Sequence, residues 1–260
     1  MTVRKPQTAK DRIVLALDID TIEEVVHYVE LLKDYVGYFK VGLQLSTYCG
    51  LQAVDVIKEH GGKVYFDGKF EDIPSTVAKA SVNLMKRGVD FFSINTIGGS
   101  KMIYNTVKSC KEFAKKEEIE PPTILGVTLL SSFGQRTLTE ELSVQLNIDE
   151  YVAHLTKMAK EAGISGIVAS ASEAKRVRKE YGEDLIIMCP AIRPTWSVVN
   201  DQIRAVSPTD AILAGVDYMV VGRPILSAED PIAAVNLIIN EIEEALKIKE
   251  GNSGEFSDYL

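Results

Sequence analysis

The chain has 260 residues, 46% hydrophobic and 25% charged, an ordinary balance for a globular protein with room for a sizeable core. Lys and Arg number 29 against 37 Asp and Glu, a formal charge of −8, which argues against a nucleic-acid surface or an anionic membrane as partner. Cys49, Cys110 and Cys189 are odd in number and widely spaced, so they suggest neither a disulfide framework nor a zinc site, but reduced thiols in a cytoplasmic protein.

Residues 1–10 are polar and basic and lack the apolar core of a signal peptide; they read as a flexible arm. The first strand is Ile13–Leu17, and Thr21 with Glu24 has capping-box spacing for a helix to about Tyr35. Tyr38–Val41 is a second strand, followed by a helix over 44–60. The third strand covers 63–68, with a helix over Pro74–Arg87. Phe91–Ile94 and a helix over Ser100–Lys116 follow. Next come Thr123–Val127, a long loop and a helix at about 148–162. Gly166–Val168 precedes a helix over 171–181. Leu185–Met188 leads into a loop to about Asn200 and a short helix near 208–214. Tyr218–Val221 and a closing helix over Asp230–Lys247 complete the pattern. The polar, Gly- and Ser-bearing segment 249–260 is expected to be disordered. No apolar run approaches the length of a membrane span.

Eight short apolar strands, each followed by a helix, imply a parallel sheet with helical crossovers. This is the α/β class, and eight units in about 250 residues fit a single-domain (β/α)8 barrel, the TIM-barrel architecture, over 11–248. An open doubly wound sheet usually carries a glycine-rich turn after its first strand, and Leu17-Asp18-Ile19-Asp20 has none.

Barrel chemistry lies at the C-terminal ends of the strands. The polar residues there are Asp18, Lys40, Asp67, Lys69, Thr128, Ser131, Pro190 with Arg193, and Gly222 with Arg223. Strand alternation puts Asp67 and Lys69 on one side, with Asp72 three residues on. Asp18 can equally end a strand or cap a helix. Lys40, inside an apolar run, needs a counter-ion, and Asp67 would serve. Asp72, just before Ile73-Pro74, also suits a helix cap, and Thr76 alone passes for a surface residue. The turn Gly222-Arg223-Pro224, with Gln202 in the preceding loop, suits an anionic phosphate, though an arginine there can also be a plain surface residue. His27, His60 and His154 fall in helices, and no carboxylate–histidine cluster marks a metal site.

Taken together, these segments resemble the orotidine 5′-monophosphate decarboxylase family over about 11–247. The carrying segments are Ala16-Leu17-Asp18, Phe39-Lys40-Val41-Gly42, Asp67-x-Lys69-x-x-Asp72-Ile73-Pro74-x-Thr76, Ile192-Arg193-Pro194, Asp201-Gln202 and Val221-Gly222-Arg223-Pro224. The resemblance implies decarboxylation of a nucleotide without metal or cofactor. Lys69 then protonates C6 of the pyrimidine, and Asp67 sits against the departing carboxylate. Lys40 links that acid to the ribose, and Asp18 binds a ribose hydroxyl. Ser131 contacts the base, and Gln202, Gly222 and Arg223 hold the phosphate, with Pro190 and Arg193 in the same closing loop. A homodimer is implied, in which Asp72, Ile73 and Thr76 reach the other subunit's site.

Two departures stand out. Pro190-Ala191-Ile192-Arg193-Pro194 has alanine where the family commonly has glycine, which means strain if that backbone needs a positive φ. Asn95-Thr96 stands where a histidine is frequent. Two other readings fit part of the pattern. One is a magnesium-dependent phosphosugar lyase or decarboxylase on the same barrel, which shares acid-x-Lys-x-x-Asp but usually lacks Ile-Pro-x-Thr. The other is a non-catalytic phosphate-ligand barrel, which would have no reason to keep Lys69 between Asp67 and Asp72.

Overall fold

A computed structural model describes residues 4–197 and 206–255, the side chains of 252–255 excepted. Eight parallel strands close into a barrel in sequence order. They are β1 (Ile13–Ala16), β2 (Tyr38–Val41), β3 (Val64–Phe70), β4 (Phe91–Asn95), β5 (Thr123–Val127), β6 (Gly166–Val168), β7 (Ile186–Cys189) and β8 (Tyr218–Val221). Closure is made by β1 against β8, with Ile13 opposite Met219 and Leu15 opposite Val221.

The helices are α1 (Ile22–Leu32), α2 (Leu43–Cys49), α3 (Gln52–Glu59), α4 (Pro74–Met85), α5 (Ser100–Lys116), α6 (Ile148–Glu161), α7 (Ala171–Tyr181), α8 (Pro208–Leu213), α9 (Arg223–Leu226) and α10 (Pro231–Glu255). Thr21 caps α1 with the expected reciprocal Glu24 bond. The single helix expected over 44–60 is two helices. Gly50 between them takes φ 62°, which stops α2 and redirects the chain. The loop after β5 contains a π-helical turn, Thr137–Glu141.

Arg4 pairs with Asp90 at 3.5 Å and its carbonyl accepts from Tyr218 Oη at 2.6 Å; Lys5 Nζ pairs with Asp217 at 2.8 Å and Glu183 at 2.7 Å. Arg4 and Lys5 thus pair with acids at the strands' N-terminal ends. α10 continues to Glu255, seven residues into the segment expected to be disordered, and residues 256–260 lie outside the described residues. Among the described residues no helix is long and apolar enough to cross a membrane.

Two cores result. One lies between the barrel and its helices. The other fills the barrel with Val14, Ala16, Tyr38, Tyr65, Phe91, Leu125, Ile186, Met188, Tyr218 and Val220. Tyr38, Phe91 and Tyr218 meet edge to face, with centroids 4.7–5.6 Å apart. This plug decides where polar groups can stand. Inward side chains recur every second residue, so the next inward position above each apolar one is Asp18 on β1, Lys40 on β2, Asp67 on β3, Ser93 on β4 and Gly222 on β8. The strand period therefore stacks a polar layer on an apolar floor at the barrel mouth.

Candidate active site

A cavity of about 280 Å³ opens above that floor. Asp18, Lys40, Asp67, Lys69, Ser131, Pro190, Arg193, Gly222 and Arg223 all line it, nine residues that the sequence assigned to the site. Gln202, assigned with them, lies outside the described residues.

The centre is the pair Lys69 Nζ–Asp67 Oδ2, 2.7 Å apart. Asp67 Oδ1 accepts two more hydrogen bonds, from Ser93 Oγ at 2.8 Å and Tyr65 Oη at 3.0 Å. Burial by itself raises the Asp67 pKa, but the charges of Lys69 and Lys40 and the hydrogen bonds from Lys69 and Ser93 outweigh it, and the pKa falls below the usual carboxylate value. Asp67 is therefore an anion at neutral pH. Tyr65 is shifted well upward, by burial and then by the Asp67 charge, so it serves as a donor.

Lys40, 8% exposed, donates to Asp18 Oδ1 at 3.2 Å. Its hydrogen-bonding counter-ion is thus Asp18, not Asp67 as the sequence suggested; Lys40 acts on Asp67 through charge. Asp18 stands one strand away from Lys40, a neighbourhood that the order of residues along the chain hides.

Lys69 does not sit in a regular strand. Its φ is 47°, in the left-handed region, at an irregularity in the β3–β4 register between Phe66 and Phe70. Such strain in a non-glycine residue is held by its surroundings and gathers at functional sites. Ala191 also has a positive φ, 62°, so the strain expected of alanine in that turn is present.

Asp72, Ile73 and Thr76 do not line the cavity of their own chain and are exposed, Ile73 at 65%. Asp72 does not cap α4: Ile73 occupies the cap position with no side-chain bond, Pro74 opens the helix, and the Asp72 carboxylate accepts from the Ile73 amide at 2.5 Å. Within one chain the charges form two pairs, Lys40–Asp18 and Lys69–Asp67, and Asp72 joins neither. Thr128 turns its hydroxyl to the Val168 carbonyl at 3.3 Å, and Leu129, Leu130 and Ser131 face the cavity instead.

Tyr65 and Ser93 were not singled out in the sequence. The period-two rule would have found both, since each is the inward residue beside Asp67. Asn95 bonds Glu71 Oε2 at 2.8 Å, just outside the mouth. Among the described residues no three His, Cys, Asp or Glu side chains gather to hold a metal ion.

A (β/α)8 barrel with lysine–carboxylate pairs on its floor, and arginines from the turns after β7 and β8 at its rim, defines a barrel enzyme for a small anionic substrate. A family model described as Orotidine 5′-phosphate decarboxylase / HUMPS family matches residues 11–238, and the chain belongs to that family. It is 41% identical over 239 residues to an orotidine 5′-phosphate decarboxylase of Syntrophotalea carbinolica, covering 92% of this chain and 98% of the relative. It is also 41% identical over 237 residues to one from Syntrophomonas wolfei, covering 91% and 99%. Among solved structures, the Lactobacillus acidophilus orotidine 5′-phosphate decarboxylase superposes with a TM-score of 0.78 at 30% identity, covering 92% of this chain and 99% of that one.

Proposed function

We infer that this chain is a carboxy-lyase that converts orotidine 5′-monophosphate to uridine 5′-monophosphate in pyrimidine synthesis, with Lys69 as the proton donor. The observation that carries the reading is the ammonium of Lys69 held 2.7 Å from the largely buried carboxylate of Asp67 in the cavity. When the C6–carboxylate bond breaks, carbon dioxide departs and the electron pair stays on C6, in an orbital that the ring cannot delocalise. A cation fixed beside C6 stabilises that charge without having to reorganise. The Lys69 ammonium then gives C6 its proton, leaving uridine 5′-monophosphate and a neutral amine that solvent reprotonates.

Asp67 aims the Lys69 ammonium through its 2.7 Å contact. It also faces the substrate carboxylate, whose loss relieves the repulsion. Lys40 and Asp18 bind the ribose hydroxyls. Ser131 meets the base. Gly222, Arg223 and Gln202 hold the phosphate, with Pro190 and Arg193 in the loop that closes over it, so binding energy far from C6 orders the site.

The working unit is a homodimer whose Asp72, Ile73 and Thr76 complete the neighbouring site. Exposed apolar side chains after β2, β3 and β4 support this: Leu43, Tyr48, Ile73, Ile97 and Tyr104 are each more than half exposed. Mixing Asp72→Ala with Lys69→Ala chains should restore activity through hybrid dimers; no recovery after subunit exchange contradicts shared sites. A cytoplasmic location belongs to the same reading, and the free cysteines fit it.

The matching family model spans HUMPS as well as decarboxylases, so metal dependence is the deciding assay. Ultraviolet loss of orotidine 5′-monophosphate should continue in excess chelator. Turnover that needs magnesium, on a phosphosugar and not on the nucleotide, would reassign the chain to the magnesium-dependent lyases. Binding without any turnover would make it a non-catalytic barrel.

A further inference from the structure

The register between β3 and β4 pairs Phe66 with Phe92 and then Phe70 with Ile94. Asp67, Gly68 and Lys69 therefore face Ser93 alone. Ser93 is 1% exposed and does not line the cavity, so it lies under the site and not in it. Its hydroxyl makes two bonds with different jobs: Oγ donates to Asp67 Oδ1 at 2.8 Å and accepts the Lys69 main-chain N–H at 3.0 Å.

We propose that Ser93 is a positioning residue for the reaction, a single hydroxyl that ties both ends of the bulge together and so fixes where Lys69 Nζ stands relative to Asp67. The two bonds answer two needs of the bulge. Lys69 is held at φ 47°, a conformation that must be compensated locally. A main-chain N–H pushed out of the β ladder needs another acceptor, and Ser93 Oγ is that acceptor. Asp67 carries the opposite requirement: an ionised, largely buried carboxylate in the cavity wall needs donors, and Ser93 supplies one of the two on Oδ1, with Tyr65 the other. A hydroxyl can do both because it donates and accepts; alanine can do neither, whereas threonine keeps both functions.

This deepens the decarboxylase reading and rests on it, so the wild-type enzyme is assayed alongside the variants. Ser93→Ala, Ser93→Thr and Tyr65→Phe are compared in kcat, KM and the pH profile of kcat/KM. Ser93→Ala should lower kcat by about 10- to 100-fold with KM changed by less than about threefold, since hydrogen bonds to a charged group are the strong ones. Its acid limb should move to higher pH. The charged and titratable groups around Asp67 (Lys69 and Tyr65 on β3, Lys40 on β2) are unchanged in this variant, so the movement reports the lost Ser93 donor. Ser93→Thr should return both kcat and the acid limb toward wild type. Tyr65→Phe should move the acid limb the same way by less, because Oδ1 keeps Ser93. A Ser93→Ala enzyme with wild-type kcat, an unmoved acid limb, or a loss that Ser93→Thr shares in full would overturn the proposal. If Ser93→Ala fails to fold, Ser93→Thr and Tyr65→Phe decide: an unmoved acid limb in Tyr65→Phe, or a Ser93→Thr enzyme as slow as an unfolded control, overturns it. A wild-type enzyme that leaves orotidine 5′-monophosphate untouched removes the functional reading instead.

Discussion

A Cβ on Gly42 would stand 2.6 Å from Lys40 Nζ. The backbone there is ordinary, with φ −95°, so alanine would be strained only by that contact. The atom that must give way is the end of a flexible side chain, which also bonds Asp18. Gly42→Ala should therefore cost less than about 1 kcal/mol of stability while displacing the Lys40 ammonium, lowering kcat/KM by about tenfold or more. Urea unfolding and steady-state kinetics on one preparation check it. A variant of wild-type activity would show that Lys40 can take another path.

Ala191 presents the opposite case, strain with no needed side chain. At φ 62° an L-residue pays about 1–2 kcal/mol, partly offset by the lower chain entropy of unfolded alanine relative to glycine. Ala191→Gly should raise stability by about 0.5–1 kcal/mol in urea unfolding. A loss of stability would mean that the methyl group packs favourably enough to outweigh the strain.

At the opposite end of the barrel, Asp217 is 5% exposed and accepts from Arg178 at 2.7 Å, Lys5 at 2.8 Å and the Ile187 amide at 2.9 Å. Asp217→Ala takes the nearest anion from a largely buried guanidinium, leaving Glu183 at 3.5 Å, and should cost about 3 kcal/mol. The polar layer at the barrel mouth lies across the aromatic plug, so kcat per folded molecule should stay unchanged. A matching fall in kcat would mean that the two ends of the barrel are coupled.

The depressed pKa of Asp67 fixes a pH window. Its unfolded value is near 3.8 and its folded value is lower. The stability that its ionised form contributes is complete above the unfolded value and is lost as pH falls through the folded one. The stability difference between wild type and Asp67→Asn should be constant from pH 7 down to about 5 and should shrink below about 4. A difference that changes between pH 6 and 8 would mean that Asp67 titrates near neutrality.

Much of this was legible in the sequence because it depends on local periodicity. Each strand–helix unit showed its own apolar run, Thr21 with Glu24 marked one cap, and a barrel places strand-end polar residues at one mouth whatever their distance in sequence. Local pattern could not give contacts across strands: that Lys40 pairs with Asp18, or that Ser93 faces the bulge, depends on register. The break at Gly50 was missed because the apolar pattern runs through it, whereas a positive φ does not. The ion pairs of Arg4 and Lys5 are equally hidden from local pattern, because their acids lie at positions 90, 120, 183 and 217.

The most direct test is the ultraviolet trace of orotidine 5′-monophosphate with Lys69→Ala beside wild type, together with binding of uridine 5′-monophosphate to both. Losing a fixed charge and a proton donor together should lower kcat by at least about 10³-fold while the variant still folds and binds the nucleotide. A Lys69→Ala enzyme that turns over within about tenfold of wild type would place the source of the proton, and of the stabilising charge, elsewhere.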